Sequence, residues 1–132
     1  MHIKQKDRGT GMLVLDYSDR RPIYEQIVEK IQDLILRGGL EPDSPLPSVR
    51  QLAMDLSINP NTIQRAYQAL EREGWIYSVR GKGSFAAHAA AAVDGRRREV
   101  LDKLAALAEE AQLVGVSKEE FLQAAAGNWE KE

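Results

Sequence analysis

Apolar residues recur at helical spacing in three successive stretches, give way to a short aromatic and β-branched run, and then resume helical spacing. Ile23, Ile27, Ile31, Leu34 and Ile35 mark the first stripe, widened by Tyr24 and Val28. Pro22 suits the first turn of this helix, where its missing N–H has no intrahelical partner. Gly38-Gly39 ends it, because glycine accepts the left-handed geometry of a helix C-terminus. Leu40 to Pro47 then holds Pro42, Pro45 and Pro47, which predicts a stiff connector.

A second helix is predicted from Ser48. Ser48 and Gln51 have capping-box spacing, and Val49, Leu52, Ala53 and Leu56 form the buried stripe. After the brief break Ser57-Ile58-Asn59-Pro60, Asn59 is a good N-cap with Pro60 at the first helical position. Ile63, Ala66, Tyr67 and Leu70 give the third helix its apolar face, and Gly74 closes it. Trp75-Ile76-Tyr77-Ser78-Val79 and Ser84-Phe85-Ala86-Ala87 flank the glycine-containing turn Arg80-Gly81-Lys82-Gly83, a hairpin signal. Three helices and a hairpin in this order predict a mainly α fold with a small antiparallel β wing, a winged helix-turn-helix. Leu13-Val14-Leu15-Asp16 reads as an edge strand before it, and residues 1–11 as a mobile arm. The predicted domain is 12–87.

Residues 88–132 read as a helical dimerisation tail. Ala89–Ala92 and Gly95 form a weakly specified link, followed by Arg96-Arg97-Arg98. Val100, Leu101, Leu104, Leu107, Ala108 and Ala111 then predict an amphipathic helix, broken by Gly115. Ser117 with Glu120 forms a capping box, and Val116 against Phe121 a hydrophobic staple, starting a last short helix with Phe121, Leu122 and Ala125. Two such helices cannot enclose a core, so their apolar faces need a partner, expected to be the same pair from a second chain. Trp129 is either an interface residue or exposed near the chain end.

Composition narrows the chemistry. At 132 residues the chain is one domain, or a small domain with an appendage. The absence of cysteine excludes a disulfide framework, a zinc knuckle and a thiol nucleophile, and two histidines cannot make a three-histidine metal site. No nucleophile–base pair and no cofactor motif stands out, so no enzyme activity and no cofactor is expected. No run is apolar enough to span a bilayer and no charged-then-apolar leader opens the chain, so a cytoplasmic protein is expected. The net charge of −2 argues against indiscriminate coating of nucleic acid. It is unevenly spread: residues 1–87 carry 12 basic and 11 acidic side chains, residues 88–132 carry 6 and 9. Modest local charge predicts few phosphate contacts per subunit and a strong dependence on dimer formation.

The third helix carries the most chemistry. With its apolar set inward, Asn61, Thr62, Gln64, Arg65 and Gln68 lie outward or flanking. Asn and Gln can contact adenine bidentately, Arg can contact guanine, and the Thr methyl can touch a thymine methyl. On an isolated helix such a face is ordinarily solvated; the preceding helix and tight turn favour double-stranded DNA instead. Arg50, beside Ser48 in the first turn of the second helix, reads as a phosphate or guanine contact. Arg80, Gly81 and Lys82 put cations and a close-approaching backbone at the wing tip. Arg96-Arg97-Arg98 reads as solvation of a helix start, and Trp75, Tyr67, Tyr24 and Phe85 as core.

Pro22-Ile23-Tyr24-Glu25-Gln26-Ile27, Leu46-Pro47-Ser48-Val49-Arg50-Gln51-Leu52-Ala53, Asn59-Pro60-Asn61-Thr62 with Ala66-Tyr67, Leu70-Glu71-Arg72-Glu73-Gly74 and Gly81-Lys82-Gly83-Ser84-Phe85 together resemble the DNA-binding domain of GntR-family bacterial transcription regulators. The resemblance covers about residues 14–87, and the short tail looks like that of the YtrA-type subfamily. It implies a homodimeric repressor on a palindromic operator, often controlling its own operon and a neighbouring ABC transporter. The family's DNA contacts carry over onto Ser48, Arg50, Asn59, Asn61, Thr62, Gln64, Arg80 and Gly81. Many members have arginine where this chain has Pro60 and Gln64, and a glycine where Asp43 stands, so a guanine contact and the connector's turn are expected to differ. A winged helix used only for protein interaction is the alternative reading; it predicts an apolar third-helix face. An aminotransferase-like fusion is not expected, with 45 residues after Ala87. No pattern marks a small-molecule effector site; the dimer interface and the junction of tail and domain are the places left open for one.

Overall fold

The computed structural model describes residues 13–129. Its element order is α1 (Ile23–Leu36), α2 (Val49–Leu56), α3 (Pro60–Arg72), β1 (Ile76–Val79), β2 (Gly83–Ala86), α4 (Ala90–Leu113) and α5 (Lys118–Gly127). The expected arm, residues 1–11, lies outside the described residues. Two compact units divide between Ala92 and Val93.

In the first unit, α1 and α2 pack against α3 around Ile27, Ile31, Leu52, Leu56, Ile63 and Leu70, all fully buried. Gly38 turns the chain out of α1 at φ +84°, and Gly39 and Leu40 donate back to the Leu34 carbonyl. Leu13 and Leu15 are buried and Val14 exposed, the alternation of an extended segment, yet among the described residues no strand pairs with it. The expected edge strand is therefore absent. Its place is fixed by a side chain instead: buried Gln26 accepts from the Asp16 backbone N–H at 3.2 Å and donates to the Arg21 carbonyl at 3.3 Å.

The proline-rich connector forms a third edge of the wing. Leu46 N–H donates to the Ser84 carbonyl, Ala86 N–H to the Ser44 carbonyl and Asp43 N–H to the Ala86 carbonyl, at 2.7–2.9 Å. Pro45 opposes Phe85 without owing the ladder a donor, which is why an edge tolerates it. Asp43 sits at φ +68°, so the turn keeps the left-handed conformation that a glycine would favour. Aspartate is one of the few side chains that enter this region readily.

Ser48 caps α2, its Oγ accepting from Gln51 N–H at 3.0 Å. The expected reciprocal half of the box is not made, because Gln51 donates to Asp55 one turn on, at 2.8 Å. Asn59 Oδ1 accepts from Asn61 N–H at 2.8 Å with Pro60 opening α3. At its far end Gly74, at φ +87°, lets Trp75 N–H reach the Leu70 carbonyl at 2.9 Å. β1 and β2 pair antiparallel from Ile76–Ala86 to Val79–Gly83. Gly83 is thus a strand residue, and the loop is the three residues Arg80-Gly81-Lys82 where four were expected. Gly81 at φ +78° and the Lys82 N–H to Val79 carbonyl bond close it as a tight turn that needs glycine at that place.

The expected link at Ala89–Gly95 is helical. α4 runs 24 residues from Ala90, taking in the alanine tract, Gly95 and Arg96–Arg98. Alanine is the strongest helix former, and a single glycine costs only about 1 kcal/mol. In the second unit the Ser117–Glu120 capping box of α5 is complete, both bonds at 3.1 Å. Val116 and Phe121 line one apolar groove of about 360 Å³ with Ala108, Ala111 and Lys118. No described residue from Val93 onward is buried, so this unit has no core of its own.

Candidate nucleic-acid interface

The amphipathic pattern of α3 is realised residue by residue. Ile63, Ala66, Tyr67 and Leu70 are buried; Asn61, Gln64, Arg65 and Gln68 are exposed, and Thr62 is half-buried. The Tyr67 hydroxyl donates to the Pro47 carbonyl at 2.7 Å, tying α3 to the residue just before the α2 cap. Burial pushes that hydroxyl's pKa above the usual tyrosine range, so it remains a donor at neutral pH. Ser48 and Arg50 are exposed at the start of α2, as is Asn59 at the start of α3.

Between α3 and the wing lies an open groove of about 320 Å³, lined by Gln64, Gln68 and Glu71 on one side and Ser78, Arg80 and Gly81 on the other. Glu71 accepts from Ser78 Oγ at 2.8 Å, linking α3 to β1. Gln64, Arg80 and Gly81 therefore share one concavity, while Lys82 stands exposed at the loop. Gln68 and Glu71 join them there. Gln68 was visible as an outward residue, but Glu71's role needed the hairpin's position.

Two aromatic residues differ from expectation. Tyr24 is half-buried, and its ring serves as a stacking platform for Arg65, whose guanidinium carbon stands 3.8 Å from the ring centroid. Phe85 is also half-buried and stacks on Tyr77 at 5.6 Å. Tyr67 and Trp75 are core residues as expected.

The connector turn is held to the wing and to the start of the tail through Asp43. Its carboxylate lies 2.9 Å from His88 Nε2 and accepts from the Tyr77 hydroxyl at 2.8 Å. Those bonds, His88's first, hold the carboxyl below the ordinary aspartate value of 3.8. A carboxyl depressed in this way stabilises the fold above its unfolded pKa and loses that contribution as pH falls through its folded value. Tyr77→Phe should raise the Asp43 titration midpoint followed by carboxyl NMR; an unmoved midpoint would mean the bond is not populated in solution.

Arg96–Arg98 lie within α4, half-buried at Arg96 and exposed at the other two. In the tail Leu101, Leu104, Leu107 and Leu122 are exposed, Ala108 and Phe121 half-buried, and Trp129 is 79% exposed. Among the described residues no cluster of metal-ligating side chains occurs, and no helix is long and apolar enough to cross a membrane.

This arrangement has close counterparts. The chain is 38% identical over 112 residues to the HTH-type transcriptional repressor YtrA of Bacillus subtilis strain 168, an alignment covering 83% of this chain and 86% of the relative. The family model for bacterial regulatory proteins of the gntR family matches residues 23–85. The chain belongs to the GntR family. Its fold is the winged helix of that family: a GntR-family transcriptional regulator from Listeria monocytogenes superposes with a TM-score of 0.68 at 35% identity, over 83% of this chain and 96% of that one. The DNA-binding domain of AraR, solved in complex with its operator ORE1, matches 55% of this chain and 89% of its own at 33% identity and a TM-score of 0.50. GntR proteins and these relatives are transcriptional regulators and not enzymes, and this chain is a transcriptional regulator with a DNA-binding helix-turn-helix. The YtrA alignment is longer than the helix-turn-helix, so the likeness reaches into the tail.

Proposed function

We propose that this GntR protein is a cytoplasmic homodimeric repressor that binds a palindromic operator, controlling its own operon and a neighbouring transporter operon. Residues 12–87 are the DNA-binding module and 88–132 the dimerising tail. Asn61, Thr62, Gln64 and Arg65 act from α3, with Ser48, Arg50 and Asn59 at the adjoining helix starts and Arg80, Gly81 and Lys82 from the wing. The observation that carries this reading is the polar, carboxylate-free N-terminal face of α3, standing beside a wing whose exposed tip is basic. An apolar face, as a protein-docking winged helix requires, does not occur there. Dimerisation is supported by Leu101, Leu104, Leu107 and Leu122, all exposed on a unit with no buried residue among those described. The relative's name as a repressor favours repression.

Arg50→Ala should weaken binding to all duplexes and lower the salt dependence, as loss of a phosphate contact does. Gln64→Ala should mainly relax base preference at one position of each half-site, costing about 1–3 kcal/mol there. Selection of bound duplexes from a random pool, followed by salt-controlled anisotropy titration, reads both effects. If neither variant changes affinity or preference, this docking of α2 and α3 is wrong.

A further inference from the structure

Arg65 is the one cation on α3 before Arg72, and it does not share the wing groove with Gln64 and Gln68. Its guanidinium lies over the Tyr24 ring, in the first turn of α1, 3.8 Å from the centroid. A ring face covers one side of the guanidinium plane and leaves the N–H donors around its rim free. The contact therefore restrains a long, entropically costly side chain without spending a hydrogen bond of its fork on a polar partner. Such a fork matches a phosphate, whereas bidentate reading of guanine needs the guanidinium extended edge-on into the groove. The nearest cation before α1, Arg21, is already committed to Asp19 at 2.6 Å and Glu29 at 3.1 Å.

We propose that Arg65 is a DNA-backbone clamp, that Tyr24 is the positioning residue holding it against α1, and that base reading on α3 falls to the neutral side chains Asn61, Thr62, Gln64 and Gln68. The inference rests on the proposed docking of α3 in the major groove. Amide side chains pair bidentately with adenine, so the bases facing this helix should be rich in A·T pairs.

The test uses the full chain and operator duplexes selected from a random pool. Arg65→Gln should reduce the slope of log K against log salt by about 0.9 per subunit, close to two for a dimer, and leave the selected consensus unchanged. Tyr24→Leu should reproduce the slope change in direction, and Tyr24→Phe, which keeps the ring, should bind like the parent. The Arg65 side-chain protons should show an upfield ring-current shift that survives in Tyr24→Phe and vanishes in Tyr24→Leu. This shift reads the stack directly, even if Tyr24→Leu binds poorly because it folds poorly. A changed consensus at one position in Arg65→Gln, with the salt slope intact, would overturn the proposal in favour of guanine reading. A parental slope in folded Tyr24→Leu would overturn the role of Tyr24. Loss of affinity in the Asn61→Ala/Gln64→Ala double variant, with Arg65→Gln behaving as the parent, would sink the clamp alone. An unaffected double variant would sink the docking of α3 itself.

Discussion

Leu104→Asp combined with Leu107→Asp should lower affinity for the proposed palindromic operator by about two to three orders of magnitude while leaving the helix-turn-helix folded. Both leucines are about half exposed, at 46% and 53%, and lie one helical turn apart on α4. In the isolated chain a charge at such positions meets water and costs little. Across an interface the same carboxylates face apolar side chains and lose solvation that nothing replaces. The effect on DNA follows from linkage. A dimer holds its second recognition helix near the second half-site at an effective concentration in the millimolar range, and a monomer forfeits that advantage. The net charge of +2 over residues 44–87, five basic against three acidic, leaves little non-specific attraction to compensate. Sedimentation equilibrium should report a monomer, and titration on a duplex carrying one half-site should show the variant binding as weakly as the parent's single subunit. A variant that stays dimeric, or a monomer that keeps full operator affinity, would contradict the tail's proposed role.

The parts of this molecule that could be read from sequence are those governed by neighbours in the chain. The α3 stripe of Ile63, Ala66, Tyr67 and Leu70 is buried as its spacing requires, and the Asn59 cap and Pro60 start are where local chemistry puts them. What was hidden depends on residues far apart. The connector's strand-like pairing escapes detection because Pro42, Pro45 and Pro47 mask it, while its hydrogen bonds come from Asp43, Ser44 and Leu46 toward residues about 40 positions on. Tyr24 carries a core-like signal within α1, and its half-exposed ring becomes a platform only because α3 brings Arg65 across it. Gln26 is buried because it satisfies an extended segment that lacks a strand partner, a role no periodicity encodes. The opposite error occurs at Ala89–Ala92, where a tract with no amphipathic pattern looked like a link. High helix propensity carries α4 through it from Ala90, and Ala92 is buried there. The tail's apolar stripe was legible, and no described residue of this chain covers its leucines.

Trp75→Ala should be the most destabilising single substitution in the first unit, at about 3–5 kcal/mol. Trp75 is 2% exposed and lies between α3 and β1. Its N–H is bonded to the Leu70 carbonyl at the end of α3, and its carbonyl accepts from Ala87 beyond β2. Removing a buried indole leaves a cavity that the surrounding structure refills only in part, so a cavity cost adds to the lost burial. A domain of this length has roughly 0.05–0.15 kcal/mol of stability per residue, so the loss is a large fraction of the total. At about 4–8 °C per kcal/mol, the melting temperature should fall by roughly 12–40 °C, measured by circular dichroism. Trp75→Phe, which keeps an aromatic ring, should cost clearly less. Below its melting temperature the alanine variant retains every exposed residue of α3 and the wing, so its operator affinity at low temperature should stay within a few-fold of the parent's. A shift under 5 °C would place the structural weight elsewhere. Low-temperature binding lost in a folded variant would mean that Trp75 sets the angle of the wing as well as the stability of the core.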